Sequence, residues 1–271
     1  MAGSLRSAVF AGQFYSAREK ELKKQLDAFF RAAGKKTNNA PAVVSPHAGY
    51  VYSGKVAAHA FSALKKAETY VIISPNHTGI GEAVSVYPEG EWETPLGRVE
   101  VDAALSGGIA DALGCGFDET AHAGEHSLEV QLPFLQHLCG SRFKIVAITI
   151  AEHRLAELKK IGAILHNLTR GRDAGFIASS DFTHFESEER ARKGDAEAIA
   201  LIEKMDIGGF HALVEGKRMS ICGYAPVCVV MEACRLGGIK HAELLKYGTS
   251  AEESGDFGNV VGYAAIAFRG R

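Results

Sequence analysis

The sequence has no excess of basic residues. Its 30 Lys and Arg are set against 32 Asp and Glu, for a formal net charge of -2. A nucleic-acid binder carries a basic patch or stripe, so no nucleic-acid partner is expected. The pairs Lys23-Lys24, Lys35-Lys36 and Lys65-Lys66 read as solvated helix faces. No apolar run approaches the roughly 20 residues of a membrane helix, so no membrane partner is expected either. Residues Met1 to Tyr15 lack the apolar stretch of a secretory signal. The 5 cysteines, Cys115, Cys139, Cys222, Cys228 and Cys234, are odd in number and form no CxxC pair. That argues against a disulfide framework and against a zinc knuckle. Most are expected to be small buried hydrophobes in a reducing compartment, with the cytoplasm as the default. No Pro/Gly/Ser-rich linker, low-complexity tract or heptad repeat divides the chain, so residues 1–271 are expected to form one domain. With 46% hydrophobic residues, the chain is able to bury a full core.

Periodicity gives alternating elements. A helix is predicted over Ser16 to Ala33, with Ser16 and Glu19 as a capping box and Gly34 as the stop. Ala42 to Ser45, Tyr70 to Ser74, Phe143 to Ile150 and Gly175 to Ser180 read as short, continuously apolar strands. Helices are predicted over Lys55 to Lys66, Ala103 to Leu113, Ser127 to Leu138 (kinked at Pro133), Leu155 to Leu168, Ser187 to Met205, Phe210 to Val214 and Tyr224 to Arg235. Gly114 to Gly124 reads as a loop. Ala83 to Tyr87 and Arg98 to Asp102 flank a turn, as a hairpin or added edge strands. Leu244 to Thr249 and Val260 to Phe268 close the fold. Apolar strands alternating with helices imply an α/β domain with a largely parallel central sheet.

Three of the strands end alike, in Ser45-Pro46-His47-Ala48-Gly49-Tyr50, Ser74-Pro75-Asn76-His77-Thr78-Gly79 and Ser179-Ser180-Asp181-Phe182-Thr183-His184. Ligands of open α/β sheets bind beyond the carboxyl ends of the strands. His47, His77, Asp181 and His184 would meet there in one pocket. Imidazole and carboxylate together suit zinc, iron, manganese or copper. His126, at the start of a helix, reads equally well as a neighbour of its N-cap or as a further pocket residue. Cys222 lies just before the helix that begins at Tyr224, where a helix N-terminus favours thiolate. Spacing alone leaves it balanced between site residue and buried thiol.

At these residues the sequence resembles the Memo family, called component B of the AmmeMemoRadiSam system in prokaryotes. The resemblance is carried by AGQFY (Ala11 to Tyr15), SPHAGYVYSG (Ser45 to Gly54), SPNHTG (Ser74 to Gly79), ETPLG (Glu93 to Gly97), EHSLEVQLPFL (Glu125 to Leu135), SSDFTHF (Ser179 to Phe185), CGYAPV (Cys222 to Val227) and GNVVGYAA (Gly258 to Ala265). They follow one order over nearly the whole chain. The family's fold is similar to that of extradiol ring-cleaving dioxygenases of the non-haem iron type. The resemblance implies His47 and His77 as metal ligands, His184 as the acid/base group, Cys222 as the pocket cysteine and Asp181 as the nearby carboxylate. The dioxygenases' ligand Glu has no evident counterpart.

The function expected on these grounds is that of a metal-dependent oxidoreductase or redox protein. In it His47, His77 and Cys222 hold Fe(II), or else copper or zinc. Asp181, His184 and His126 are the catalytic candidates. A small molecule or peptide is the expected pocket ligand, and homo-oligomers are left open. The rival readings are a thiol-dependent hydrolase with Cys222 as nucleophile and a non-enzymatic binding module for a peptide or small acid.

Overall fold

The computed structural model describes residues 4–34 and 37–270; the Lys35-Lys36 pair lies outside them. In chain order the elements are β1 (Leu5–Arg6), α1 (Glu19–Ala33), β2 (Ala42–Ser45), α2 (Tyr50–Ala63), β3 (Thr69–Pro75), β4 (Val84–Val86), β5 (Glu91–Thr94), β6 (Gly97–Val101), α3 (Ala103–Leu113), α4 (Thr120–Ala123), α5 (His126–Glu129) and α6 (Leu132–Cys139). They continue with β7 (Lys144–Ile150), α7 (Leu155–Thr169), β8 (Ala174–Ser179), β9 (His184–Glu186), α8 (Glu188–Glu203), α9 (Ile207–Lys217), α10 (Tyr224–Leu236), β10 (His241–Thr249), α11 (Ala251–Ser254) and β11 (Val260–Arg269).

One mixed sheet runs in the order β1-β5-β6-β7-β3-β8-β2-β11-β10, with β4 beside β7 and β9 beside β11. Strands β6, β7, β3, β8 and β2 are parallel throughout. Antiparallel β11 and β10 extend one edge, and the β5–β6 hairpin extends the other. The apolar strand runs are explained by helices on both faces. Val44, Val71, Ile73, Val146, Ile148 and Ala178 pack toward α7 and α10, sharing a core with Leu158, Ile161, Val227 and Val230. The alternate residues Val43, Tyr70, Ile72, Ile145 and Ile177 share the opposite core with Leu22 and Leu26 of α1 and Phe61 of α2. Each buried Val, Ile or Leu contributes about 1.5–3 kcal/mol relative to exposure. Among the described residues no helix is long and apolar enough to cross a membrane.

The main departures from the predicted elements have identifiable causes. Helix α1 starts at Glu19, because Ser16 Oγ accepts from Arg18 N at 3.2 Å and makes a turn instead of a capping box. Helix α2 starts at Tyr50, five residues before the predicted Lys55, since Tyr50 N donates to Phe14 O at 2.8 Å. Gly54, inside α2, lies under Phe29, whose Cε2 would be 2.3 Å from a Cβ there. The predicted Ser127 to Leu138 helix is two helices, α5 and α6, with Pro133 in the first turn of the second, where its missing N–H is harmless. The predicted loop Gly114 to Gly124 contains α4.

Candidate metal centre

The sheet order determines which strand ends meet. Strand β8 lies between β2 and β3. The segment after β8 therefore emerges between those carrying His47 and His77. Parallel neighbours are about 4.8 Å apart, so side chains from β2 and β3 reach each other across the end of β8. The rings of His47 and His77 have centroids 5.1 Å apart. His126, on α5, completes a triangle, 5.4 Å from His47 and 4.8 Å from His77. One ring nitrogen from each of the three lies within 4.8 Å of the others, the one such grouping of three or more His, Cys, Asp or Glu among the described residues.

Hydrogen bonds determine which nitrogen carries the proton in two of the rings. Ser179 Oγ donates to Ser127 O at 2.7 Å and accepts from Gln131 Nε2 at 2.9 Å. Its one proton is thus committed, and its contact with His47 Nδ1 at 2.9 Å must be accepted from an Nδ1–H. That leaves the lone pair of His47 on Nε2. His77 Nδ1 stands 2.9 Å from Glu125 Oε1. Glu125 is fully buried and also accepts from His77 N at 2.6 Å, Ser127 N at 2.9 Å and Ser127 Oγ at 2.7 Å. Burial alone would raise the Glu125 pKa, but the His77 contact and these donors bring it down to about 2. It is a carboxylate, so His77 also carries a proton on Nδ1, and in the neutral ring its lone pair lies on Nε2. A metal-binding histidine whose other nitrogen donates to a carboxylate is the usual second-layer arrangement.

His126 Nδ1 lies 3.4 Å from Glu125 Oε1. Its ring packs on Phe14, with centroids 4.4 Å apart, and on Phe10. Burial lowers the His126 pKa to about 4 and holds His47 well below its ordinary value. Both are neutral near pH 7, the state in which imidazole binds metals. The centre opens on one side: the His77 side chain is 32% exposed.

Around this triangle stand the other sequence-derived candidates. Cys222 Sγ is 3.2 Å from His47 Nε2 and 3.7 Å from Asp181 O. Burial, with Asp181 adding to it, pushes the thiol pKa well above its ordinary value. As the groups stand, Cys222 is a neutral thiol whose one proton faces His47 Nε2 and Asp181 O, contrary to the thiolate that its place before α10 suggests. Asp181 Oδ1 accepts from His47 N at 2.8 Å, and Oδ2 is 3.9 Å from His47 Nε2. Burial raises its pKa to about 6. His184 lies outside the triangle. Its Nδ1 donates to Ser220 O at 2.8 Å, so in the neutral ring the lone pair lies on Nε2. Sequence reasoning missed Glu125, Ser127, Gln131 and Ser179 as orienting groups. All four lie inside the matched segments EHSLEVQLPFL and SSDFTHF, but no spacing shows which atoms they would face.

The family model described as Memo-like protein matches residues 6–267. A MEMO1 family protein of Methanopyrus kandleri is 43% identical, over 97% of this chain and 99% of its own length. One from Methanosarcina barkeri is also 43% identical with the same coverage, and one from Saccharolobus islandicus is 39% identical over 97% of this chain and 99% of its own. The crystal structure of an uncharacterised Escherichia coli K12 protein shares the fold at a TM-score of 0.55 and 15% identity, covering 83% of this chain and 98% of that one. Matching a family model over nearly its whole length and curated relatives end to end, the chain belongs to the Memo family.

Proposed function

We propose that the protein is a metal-dependent oxidoreductase or redox protein with one ion held by His47, His77 and His126. Cys222 and Asp181 adjoin it. The observation that carries this reading is the pair of tautomers. Ser179 and Glu125 occupy Nδ1 of His47 and His77, leaving Nε2 lone pairs on two of three imidazoles gathered within 4.8 Å. The residues fit an ion. Metal–nitrogen bonds of about 2.1 Å would draw the three rings, whose nitrogens lie within 4.8 Å of one another, in toward the ion. Imidazoles beside a carboxylate suit Fe(II), while a nearby thiol makes copper or zinc the competitors.

A bound ion would supply Lewis-acid and electron-transfer chemistry. The chain's own groups would handle protons. Asp181, with a pKa near 6, is matched to proton exchange close to neutral pH. His184, held through Nδ1, presents Nε2 as a base. The exposed side at His77 would admit a small molecule or peptide segment.

The contact between Cys222 and His47 also supports a thiol-dependent hydrolase. The raised thiol pKa opposes it, since the thiolate is the nucleophile. Metal titration of chelator-stripped protein separates the two. The expected result is uptake of one ion per chain by wild type, its loss in His47→Ala, and O2 consumption that requires the ion. Turnover that survives chelation and is abolished by iodoacetamide at Cys222 would transfer the assignment to the hydrolase.

A further inference from the structure

Asp195, on α8, is fully buried and belongs to no ion pair among the described residues. A buried carboxyl is costly unless its oxygens are hydrogen-bonded, and both of these are. Oδ1 accepts from Thr183 N at 3.1 Å and from Thr183 Oγ1 at 2.6 Å, and Oδ2 accepts from Tyr247 Oη at 2.6 Å. The chain makes room for this group at Gly262 of β11, where a Cβ would stand 2.2 Å from Asp195 Oδ2 and 2.8 Å from Tyr247 Oη. Gly262 N also donates to Thr183 O at 2.8 Å. All three polar atoms of Thr183 are thus bonded. The residues flanking Thr183 face the candidate centre. Two residues before it, Asp181 accepts from His47 N; directly after it, His184 bonds Ser220 through both N and Nδ1. The chain then turns sharply. Phe185 has φ 62, in the left-handed region that a bulky residue seldom adopts, at a bulge where His184 and Glu186 pair with the consecutive residues Val261 and Val260. Such strain persists only where the surroundings over-determine the backbone, and Asp195 supplies that hold from α8.

We propose that Asp195 is a positioning residue: acting through Thr183, it fixes Asp181 and His184, the proton-handling pair, in place beside the centre. The chemical role of the pair rests on the function proposed above; its placement rests on the clasp. The clasp requires a hydrogen-bond acceptor at this position, not a charge. In Asp195→Asn, Oδ1 still accepts from both Thr183 donors and Nδ2 donates to Tyr247 Oη, so the clasp survives. In Asp195→Ala it is lost.

The test uses metal-free wild type, Asp195→Ala and Asp195→Asn. It reads the His47 amide, which donates to Asp181, by hydrogen exchange, and His184 by its imidazole 15N shifts. Amides of β3 and β7 report whether each variant is folded. In Asp195→Ala the His47 amide is expected to exchange about tenfold faster, the effect of losing one hydrogen bond. His184 is expected to lose its single Nδ1–H signature, with the β3 and β7 amides unchanged. In Asp195→Asn both readouts are expected to match wild type. Wild-type behaviour in Asp195→Ala would overturn the proposal. So would an Asp195→Asn as disturbed as Asp195→Ala, since the charge would then be the active feature. If Asp195→Ala does not fold, Thr183→Val removes the hydroxyl half of the clasp alone and is expected to disturb His184 in the same direction; an unchanged His184 there would overturn the proposal. Absence of metal uptake by wild type, with these effects present, would overturn the metal reading while upholding the placement by Asp195.

Discussion

Individual histidines in this fold do different work, and their environments separate them. His122 is fully buried, unlike His77, which is exposed, and His126, which is partly so. Its Nδ1 contacts Thr149 Oγ1 at 3.0 Å and its Nε2 contacts Ser85 O at 3.3 Å, with the rings of Tyr87 and Trp92 beside it. Burial lowers its pKa from 6.5 to about 4. Below pH 6.5 the unfolded chain takes up a proton that folded His122 refuses, so stability falls as pH drops from about 6.5 to about 4. Linkage puts the loss at roughly 2–3 kcal/mol. His47 and His126 act in the same direction, whereas Asp181, whose pKa is raised, acts in the opposite one. Denaturant unfolding of the metal-free protein at pH 7 and pH 4.5 should show a shallower acid loss in His122→Gln than in wild type; an equal slope would refute the role given to His122. Cysteines divide similarly. Cys228 is fully buried in the core beside α7, so Cys228→Ala should cost about 1–3 kcal/mol in stability and leave metal content unchanged. Cys222 was distinguishable in the sequence only by its place before a helix and by the family resemblance. Its contact with His47 comes from the fold.

At the scale of elements, one helical turn organises the centre, and the N-terminal arm holds that turn. Arg6 pairs with Glu129 at 2.6 Å, donates to His122 O and Glu125 O, and stacks over Trp92 at 4.1 Å. Glu129 in turn accepts from Phe10 N at 2.9 Å and Tyr15 Oη at 2.6 Å, which sets Phe10 and Phe14 against His126. Both members of the ion pair are buried, so removing one leaves the other uncompensated. Arg6→Ala should therefore destabilise by about 3–5 kcal/mol, measured by urea unfolding; a loss below 1 kcal/mol would show that the arm is not held this way. A second close fit lies at the start of α10. A Cβ on Gly223 would stand 2.3 Å from Ser179 O and 2.5 Å from Ser180 Cβ. Gly223→Ala should push Cys222 away from His47 and cost about 1–3 kcal/mol by overpacking, with faster alkylation of Cys222 as the direct readout. The elements with strong periodicity, β3, β7 and α7, were legible because packing on both faces agrees with their sequences. The division of α5 from α6 was not. Its cause is a set of long-range bonds from Glu125 and Glu129 to residues far away in the chain.

For the molecule as a whole, strand order is what makes three distant segments into one site. Strands β2 and β3 flank β8, so the SPH, SPNH and SSD endings meet at one edge of the sheet. The sequence showed that these endings share a chemistry and the fold class that would gather them. It did not show the order of the strands, nor that His126 is the third imidazole, because both depend on pairings made across the chain. In the proposed function, His47, His77 and His126 hold a metal ion. Elemental analysis tests it most directly, on protein purified without an affinity tag or added metal, as wild type, His77→Ala and His126→Ala in parallel. Near-stoichiometric iron, or else copper or zinc, is expected in wild type, and its loss in both folded variants. Wild type without metal that takes up neither Fe(II) nor copper anaerobically, or variants that keep the full metal content, would contradict it.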